Sequence, residues 1–237
     1  KEGMTGPTAA FEGRHGLAEQ VTGPFEIGAL GGAGRPFAVQ RANFKFFAAE
    51  YHAQAPLAMA LRLREKVRLE DIDGIDVQIY AMAHSEIGSE AAKWDPRTRE
   101  TADHSLPYML AIALRDGRIT PASFEPERYL DPSLRPVMSR IRVAESPEFT
   151  RRFPQELRSQ IDVTTRSGQR FTERADYPKG HAENPMTDAD VESKFRDLAG
   201  DGLGAERASA ALRTLWRLDE AGRAGVVLDA LTLPPRV

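Results

Sequence analysis

Ile161-Asp162-Val163-Thr164-Thr165 and Arg170-Phe171-Thr172-Glu173-Arg174-Ala175 flank Ser167-Gly168, and this stretch decides the fold. Both runs change polarity every second residue, the period of a strand with one buried face, and the Ser-Gly between them supplies a tight turn, so the pair predicts a β-hairpin. Upstream, Ile75-Asp76-Val77-Gln78-Ile79-Tyr80 alternates in the same way and reads as a half-buried strand, and Arg140 to Val143 supplies a fourth. Between and around these strands the period switches to that of a helix. Leu57, Ala60, Leu61 and Arg64 share one face of a predicted helix over 53–67. Pro56 is tolerated only in a first turn, which puts the helix start near His52 to Ala55. Arg62, Arg64, Lys66 and Arg68 gather at its far end, where they complement the helix dipole. Leu106 to Leu114 reads as a second helix, capped by Asp103 or Ser105, with Pro107 in its first turn and Asp116-Gly117 closing it.

Residues 84–103 form a polar stretch, and 118–138 hold several prolines with short helical turns. After the hairpin the chain is helical: Thr187 caps a helix to about Ala199 with Asp190 in a capping-box position, a longer helix covers Ala205 to Leu218, and a short one covers Gly225 to Leu231. No internal repeat is present. This order predicts an α+β unit with a mostly antiparallel four-stranded sheet and packed helices. Residues 1–37, rich in Gly and Pro, read as a connector that cannot make its own core; 38–200 read as the α+β domain and 201–237 as a C-terminal helical segment. The run Gly28 to Gly34 lacks the preceding strand and following helix of a phosphate-cradling loop, and Arg35-Pro36 follows it, so it reads as a flexible link. The chain opens on Lys1-Glu2-Gly3 without an initiator Met, which reads as a fragment of something longer.

Composition excludes several classes of function. Lys and Arg number 32 against 35 Asp and Glu, for a formal charge of −3, which leaves no basic footprint for nucleic acid. The absence of cysteine removes disulfides, thiolate nucleophiles, zinc–thiolate sites and cysteine-held iron–sulfur clusters, so catalysis falls to His, Lys, Tyr, carboxylates or hydroxyls. The strongest apolar run, Met109 to Leu114, is too short to span a bilayer, and the N-terminal region lacks the order of a signal peptide, so no membrane role is expected and a cytoplasmic location is the default.

The five histidines, His15, His52, His84, His104 and His181, all read as lying in loops or at element ends. Any one of them alone reads as a solvated surface residue. His52 has the best local case: at or just before a helix N-terminus, free N–H groups and the dipole attract an anion and favour a neutral imidazole, which suits a general base. Lys45, in Phe44-Lys45-Phe46-Phe47, suits pairing with an acidic substrate group, against the plainer reading of a lysine snorkelling from an edge strand. Asp103-His104-Ser105 has the composition of a hydrolase triad, but consecutive residues at a helix start point in different directions, so capping is its expected role. No His-Glu-x-x-His spacing indicates a metal site. Asp176-Tyr177-Pro178-Lys179-Gly180-His181 reads as a tight turn or a site loop.

Together, Phe11-Glu12-Gly13-Arg14-His15-Gly16, Phe44-Lys45, Ala49-Glu50-Tyr51-His52-Ala53-Gln54, Asp103-His104-Ser105-Leu106-Pro107-Tyr108-Met109, Asp116-Gly117-Arg118-Ile119-Thr120 and Tyr177-Pro178-Lys179-Gly180-His181 resemble the C-terminal half of the MmgE/PrpD family, most closely its 2-methylcitrate dehydratase branch. The resemblance implies a two-domain lyase, usually a homodimer. Its all-helical domain comes mostly from an N-terminal half of the same protein and its smaller α+β lid is the part read here, with the terminal helices packing back on the helical domain. It implies catalytic roles for Lys45 and His52, substrate-facing roles for His84 and His104, and no metal or other cofactor. The family's remaining catalytic residues, an aspartate and histidines, belong to the N-terminal half, so the isolated chain is expected to be inactive. The implied function is metal-independent dehydration of 2-methylcitrate or a related tricarboxylate, with cis-aconitate decarboxylation or epimerisation of an amino-dicarboxylate as variants. The alternative is a non-catalytic module that binds carboxylates or mediates dimerisation.

Overall fold

The computed structural model of the 237-residue chain describes residues 9–14, 16–26, 28, 31–32 and 34–233. His15 and part of the 28–34 glycine run lie outside the described residues. The chain divides into Lys1–Ala42 and Asn43–Val237. In the first unit a π-turn over Ala18–Thr22 and a 3-10 turn over Ala38–Arg41 are joined by irregular chain. Its described large apolar side chains, Phe11, Val21, Phe37 and Val39 among them, are exposed.

The second unit holds the sheet. Strand β1 (Ile72–Ile79) is central, followed along the chain by β2 (Ile141–Glu145), β3 (Ser159–Thr165) and β4 (Arg170–Ala175), in the spatial order β2-β1-β3-β4. The β1–β2 pair is parallel and the other two are antiparallel, so Ile75 lies beside Ile141 on one edge and Val163 on the other. The hairpin forms as the alternation requires, with Gly168 at φ 83° in the left-handed region where a side chain is strained. Period-two patterning gives the sheet two different faces. Ile75, Val77, Ile79, Ile141, Ile161 and Val163 are almost wholly buried, each stabilising by about 1.5–3 kcal/mol. On the polar face Arg142 grips Asp76 through two bonds of 2.6 and 3.0 Å, and Asp162 accepts from Thr172 and Gln160.

Helices α1 (Gln54–Arg64), α2 (Ala81–Ile87), α3 (Arg99–Asp103), α4 (Leu106–Asp116), α5 (Pro126–Tyr129), α6 (Arg135–Met138) and α7 (Pro147–Arg152) surround that core. α1 packs on β3, β4 and α4 through Leu57, Ala60 and Leu63. Its basic end does more than complement the dipole: Arg62 and Lys66 hold Glu173 of β4 at 2.8 and 2.5 Å, and Arg64 donates to the Leu114 carbonyl near the end of α4. Ser105 caps α4, accepting from the Tyr108 N–H, and Gly117 at φ 72° ends it. Within 84–103, where no helix was expected, α3 forms; α2 follows β1 without a break, so His84 is inside a helix and not in a loop after the strand.

Helices α8 (Asp188–Leu203), α9 (Ala205–Leu215) and α10 (Val226–Leu231) pack in succession around a small core of Leu203, Ala208 and Ala211. Thr187 and Asp190 form the expected capping box. Trp216, Leu228 and Leu233 on this segment remain exposed.

Candidate active site

Lys45 and His52 lie on one irregular stretch, 42–50, and the 3-10 turn Tyr51–Ala53 that leads into α1. The turn starts at Glu50, whose carboxylate accepts from the His52 backbone N–H at 2.6 Å. The N–H expected to be free for a bound anion is therefore already occupied by this chain's own carboxylate. Gln54, 1% exposed, shapes the stretch from inside: the Phe47 N–H donates to its Oε1 at 2.8 Å, and its Nε2 lies 3.2 Å from the carbonyls of Phe47, Ala49 and Glu50.

The His52 ring is mostly buried and has two different edges. Nδ1 is 2.5 Å from the hydroxyl of Tyr80, the residue joining β1 to α2, and Nε2 is 4.0 Å from a Glu50 oxygen. The Tyr80 ring stacks on Phe153 with centroids 4.6 Å apart and meets the imidazole edge-on. Burial, with the Glu50 carboxylate and the Tyr51 hydroxyl nearby, pushes the Tyr80 hydroxyl well above the usual phenol range, so it keeps its proton at neutral pH. Tyr51 is raised too, chiefly by burial.

Lys45 is exposed and is not on an edge strand; it has no ion pair among the described residues. Its neighbours are held on both sides. The Phe44 N–H donates to the Gly180 carbonyl at 2.8 Å, and Gly180, at φ 91°, comes so close that a Cβ there would lie 2.2 Å from the Phe44 carbonyl oxygen. Lys194 of α8 donates to the Phe46 carbonyl at 3.1 Å, and Lys179 sits 4.8 Å above the Phe46 ring while paired with Asp190 at 2.7 Å. Burial and the charge of Lys45 both lower the Lys194 ammonium from its ordinary value. The turn of Tyr177 to His181 is thus a support for the Lys45 stretch, with the Tyr177 and His181 rings stacked at 4.9 Å.

His84 and His104 are placed differently. α2, which carries His84, packs against the 3-10 turn of His52. His104 closes α3, its Nδ1 3.2 Å from the Glu100 carbonyl and 3.8 Å from the Asp103 carboxylate, so its described polar contacts stay within its own turn. A cleft of about 620 Å³ beside α1 is lined by Phe46, Ala58, Leu61, Tyr177 and Lys179, and neither Lys45 nor His52 lines it. No group of three or more His, Asp or Glu among the described residues could hold a metal ion, and no helix there is long and apolar enough to cross a membrane.

Residues 47–220 match the family model for the MmgE/PrpD C-terminal domain. The chain belongs to the MmgE/PrpD family. His52, His84 and His104 fall within the matched region, and Lys45 lies two residues ahead of it. Among curated relatives, the chain is 27% identical over 139 residues to cis-aconitate decarboxylase of Mus musculus, covering 59% of this chain and 28% of that protein. It is 29% identical over 197 residues to 2-methylcitrate dehydratase-like protein oryR of Aspergillus oryzae, 76% of this chain and 39% of the relative. With 2-methylcitrate dehydratase of Salmonella typhimurium it shares 29% over 157 residues, 62% of this chain and 32% of that enzyme. The chain therefore spans about a third of the length of the curated relatives it matches. These relatives are named as a decarboxylase, a dehydratase and a dehydratase-like protein, so the family to which the chain belongs includes lyase-type enzymes.

Tyr80, Glu50, Gln54 and Lys194 hold the stretch that carries Lys45 and His52, and none of them stands out as chemistry in the sequence. Glu50 and Gln54 stand in the stretch that carried the resemblance. Tyr80 was read as the end of a strand, where alternation sends it to the polar face; the strand stops at Ile79 and the side chain turns inward, 1% exposed. Lys194 has no local signal, since only the tertiary fold brings α8 to Phe46.

Proposed function

We propose that this chain is the lid part of a metal-independent hydro-lyase that dehydrates 2-methylcitrate or a related tricarboxylate, working with an N-terminal helical half of the same protein in a homodimer. The observation that carries the reading is that exposed Lys45 and mostly buried, hydrogen-bonded His52 lie on one braced stretch where the match to the MmgE/PrpD C-terminal domain begins. In the reaction a proton leaves the carbon beside a substrate carboxylate, its bonding pair forms the new C=C bond, and the β-hydroxyl departs with the C–O electron pair, taking up a proton to become water. Lys45 would hold the carboxylate and stabilise the negative charge that builds on it. His52 would serve as general acid or base. His84, on the helix packed against the His52 turn, and His104 would face the substrate. The residues that complete the site would come from the helical half, so this chain alone would turn nothing over.

Decarboxylation of cis-aconitate is the second reading, supported by the similarity to the mouse decarboxylase. A lyase that removes carbon dioxide needs the same carboxylate grip but no leaving hydroxyl. Calorimetry of the 237-residue chain with citrate, 2-methylcitrate and cis-aconitate, alongside an absorbance assay for the unsaturated product, tests the lid assignment that both readings share. Carboxylate binding that Lys45→Met abolishes, without turnover, is the expected result; no binding of any of the three refutes the lid assignment, and turnover by this chain alone refutes the need for a second half.

A further inference from the structure

The pairing of His52 with Tyr80 specifies where the imidazole proton sits. The Tyr80 hydroxyl is buried, stacked into place by Phe153, and has one described hydrogen-bond partner, His52 Nδ1 at 2.5 Å. Its own proton therefore has one place to go. If Nδ1 carried the imidazole proton, the tyrosine hydroxyl would be forced to accept, and its hydrogen would be left in the interior without a partner, a cost that native interiors avoid. The other edge gives the same answer independently. Nε2 faces the Glu50 carboxylate at 4.0 Å, an arrangement that favours N–H over a bare lone pair. Glu50, Tyr51 and Tyr80 are the titratable groups that face the ring from its own turn and from the end of β1, and none of them is a cation.

We propose that Tyr80 is a positioning residue that holds neutral His52 as its Nε2–H tautomer, so that the ring meets a substrate carboxylate or hydroxyl oxygen as a hydrogen-bond donor and a different group removes the substrate proton. This deepens the lyase reading and rests on His52 belonging to the reaction site. It resolves the choice between acid and base in that reading. A neutral imidazole whose Nε2 carries the proton can polarise an oxygen but has no lone pair at that edge to take a proton. The orienting hydroxyl acts as the outer partner does in a ligand–histidine pair, by fixing which nitrogen is protonated. Tyr80→Phe would keep the stack on Phe153 and remove only the hydroxyl.

Nitrogen-15 NMR of the histidine side chains tests this in the 237-residue chain, at a pH where the imidazoles are neutral. The expected spectrum shows His52, assigned by its loss in His52→Ala, with Nε2 protonated and Nδ1 bare; a dominant Nδ1–H form overturns the proposal. In Tyr80→Phe the two nitrogen signals should move toward each other as the tautomers mix, and an unchanged pattern removes Tyr80 from the account. The wild-type spectrum decides the tautomer even if that variant fails to fold. In the active enzyme, Tyr80→Phe should lower kcat about ten-fold with KM within about three-fold, and a change confined to KM would overturn the positioning role. The spectrum needs no turnover. A correct tautomer with fully active His52→Ala would therefore sink the lyase reading of the site while leaving the Tyr80–His52 geometry standing.

Discussion

Replacing Gln54 by Leu removes the polar hub of the stretch that carries Lys45 and His52 while nearly preserving side-chain volume. In the native protein the Phe47 N–H donates to Oε1 at 2.8 Å, and Nε2, with two hydrogens, is shared among three carbonyls at 3.2 Å. Two to three hydrogen bonds' worth of interaction is lost, and a buried N–H is stranded. At about 1 kcal/mol for each bond, and more for an unsatisfied buried group, Gln54→Leu should destabilise by about 2–4 kcal/mol. With an m-value of about 2–3 kcal/mol/M in urea, the midpoint should fall by about 1 M. Equilibrium urea unfolding followed by circular dichroism reads this directly. Amide hydrogen exchange at Phe47 and His52 should accelerate in the same variant, because their partners belong to one braced turn. A midpoint shift under about 0.2 M with an unchanged m-value would refute the reasoning, since it would mean that the stretch holds its shape without the glutamine.

Gly180→Ala should destabilise by about 2 kcal/mol or more, because a Cβ there would meet the Phe44 carbonyl oxygen at 2.2 Å on a backbone at φ 91°; thermal unfolding checks it, and a neutral effect would mean that the 177–181 turn does not hold the Lys45 stretch. Asp190 is held down to about 2 by Lys179 and by the Thr187 hydrogen bonds. A carboxylate whose folded value is depressed stabilises above its unfolded value, near 4, and that contribution is lost as pH falls through the folded value. Wild-type stability should therefore drop between about pH 4 and pH 2 by more than that of Asp190→Asn, measured by urea midpoints across that window; parallel curves would show that the pair with Lys179 is not what ties α8 down.

The sheet was legible because its alternation is strict. Ile75, Val77 and Ile79 against Asp76 and Gln78 allow one buried face, and the hairpin turn has a glycine where φ must be positive. Helix α4 was legible through Ser105, Pro107 and Gly117, each of which acts locally. Helix α2 was not, because it follows β1 directly and Tyr80 gives it no side-chain cap, so the reading placed His84 in a loop. The chemistry divides in the same way. Lys45 and His52 came from a pattern and a resemblance, and the structure sets both on one stretch. Their supporting residues lie far away in sequence, Tyr80 at the end of a strand, Phe153 after α7 and Lys194 in α8, and periodicity carries no information about such contacts. His104 illustrates the converse: it stands in a recognisable stretch, yet its described polar contacts do not leave its own turn.

The central claim is that Lys45 and His52 are parts of one lyase site. Steady-state formation of the unsaturated product from 2-methylcitrate, measured by absorbance with the whole enzyme and its His52→Ala variant, tests it most directly. In the variant kcat/KM should fall about 100-fold or more, with the protein still folded by circular dichroism. A kcat/KM within a few fold of wild type would contradict it.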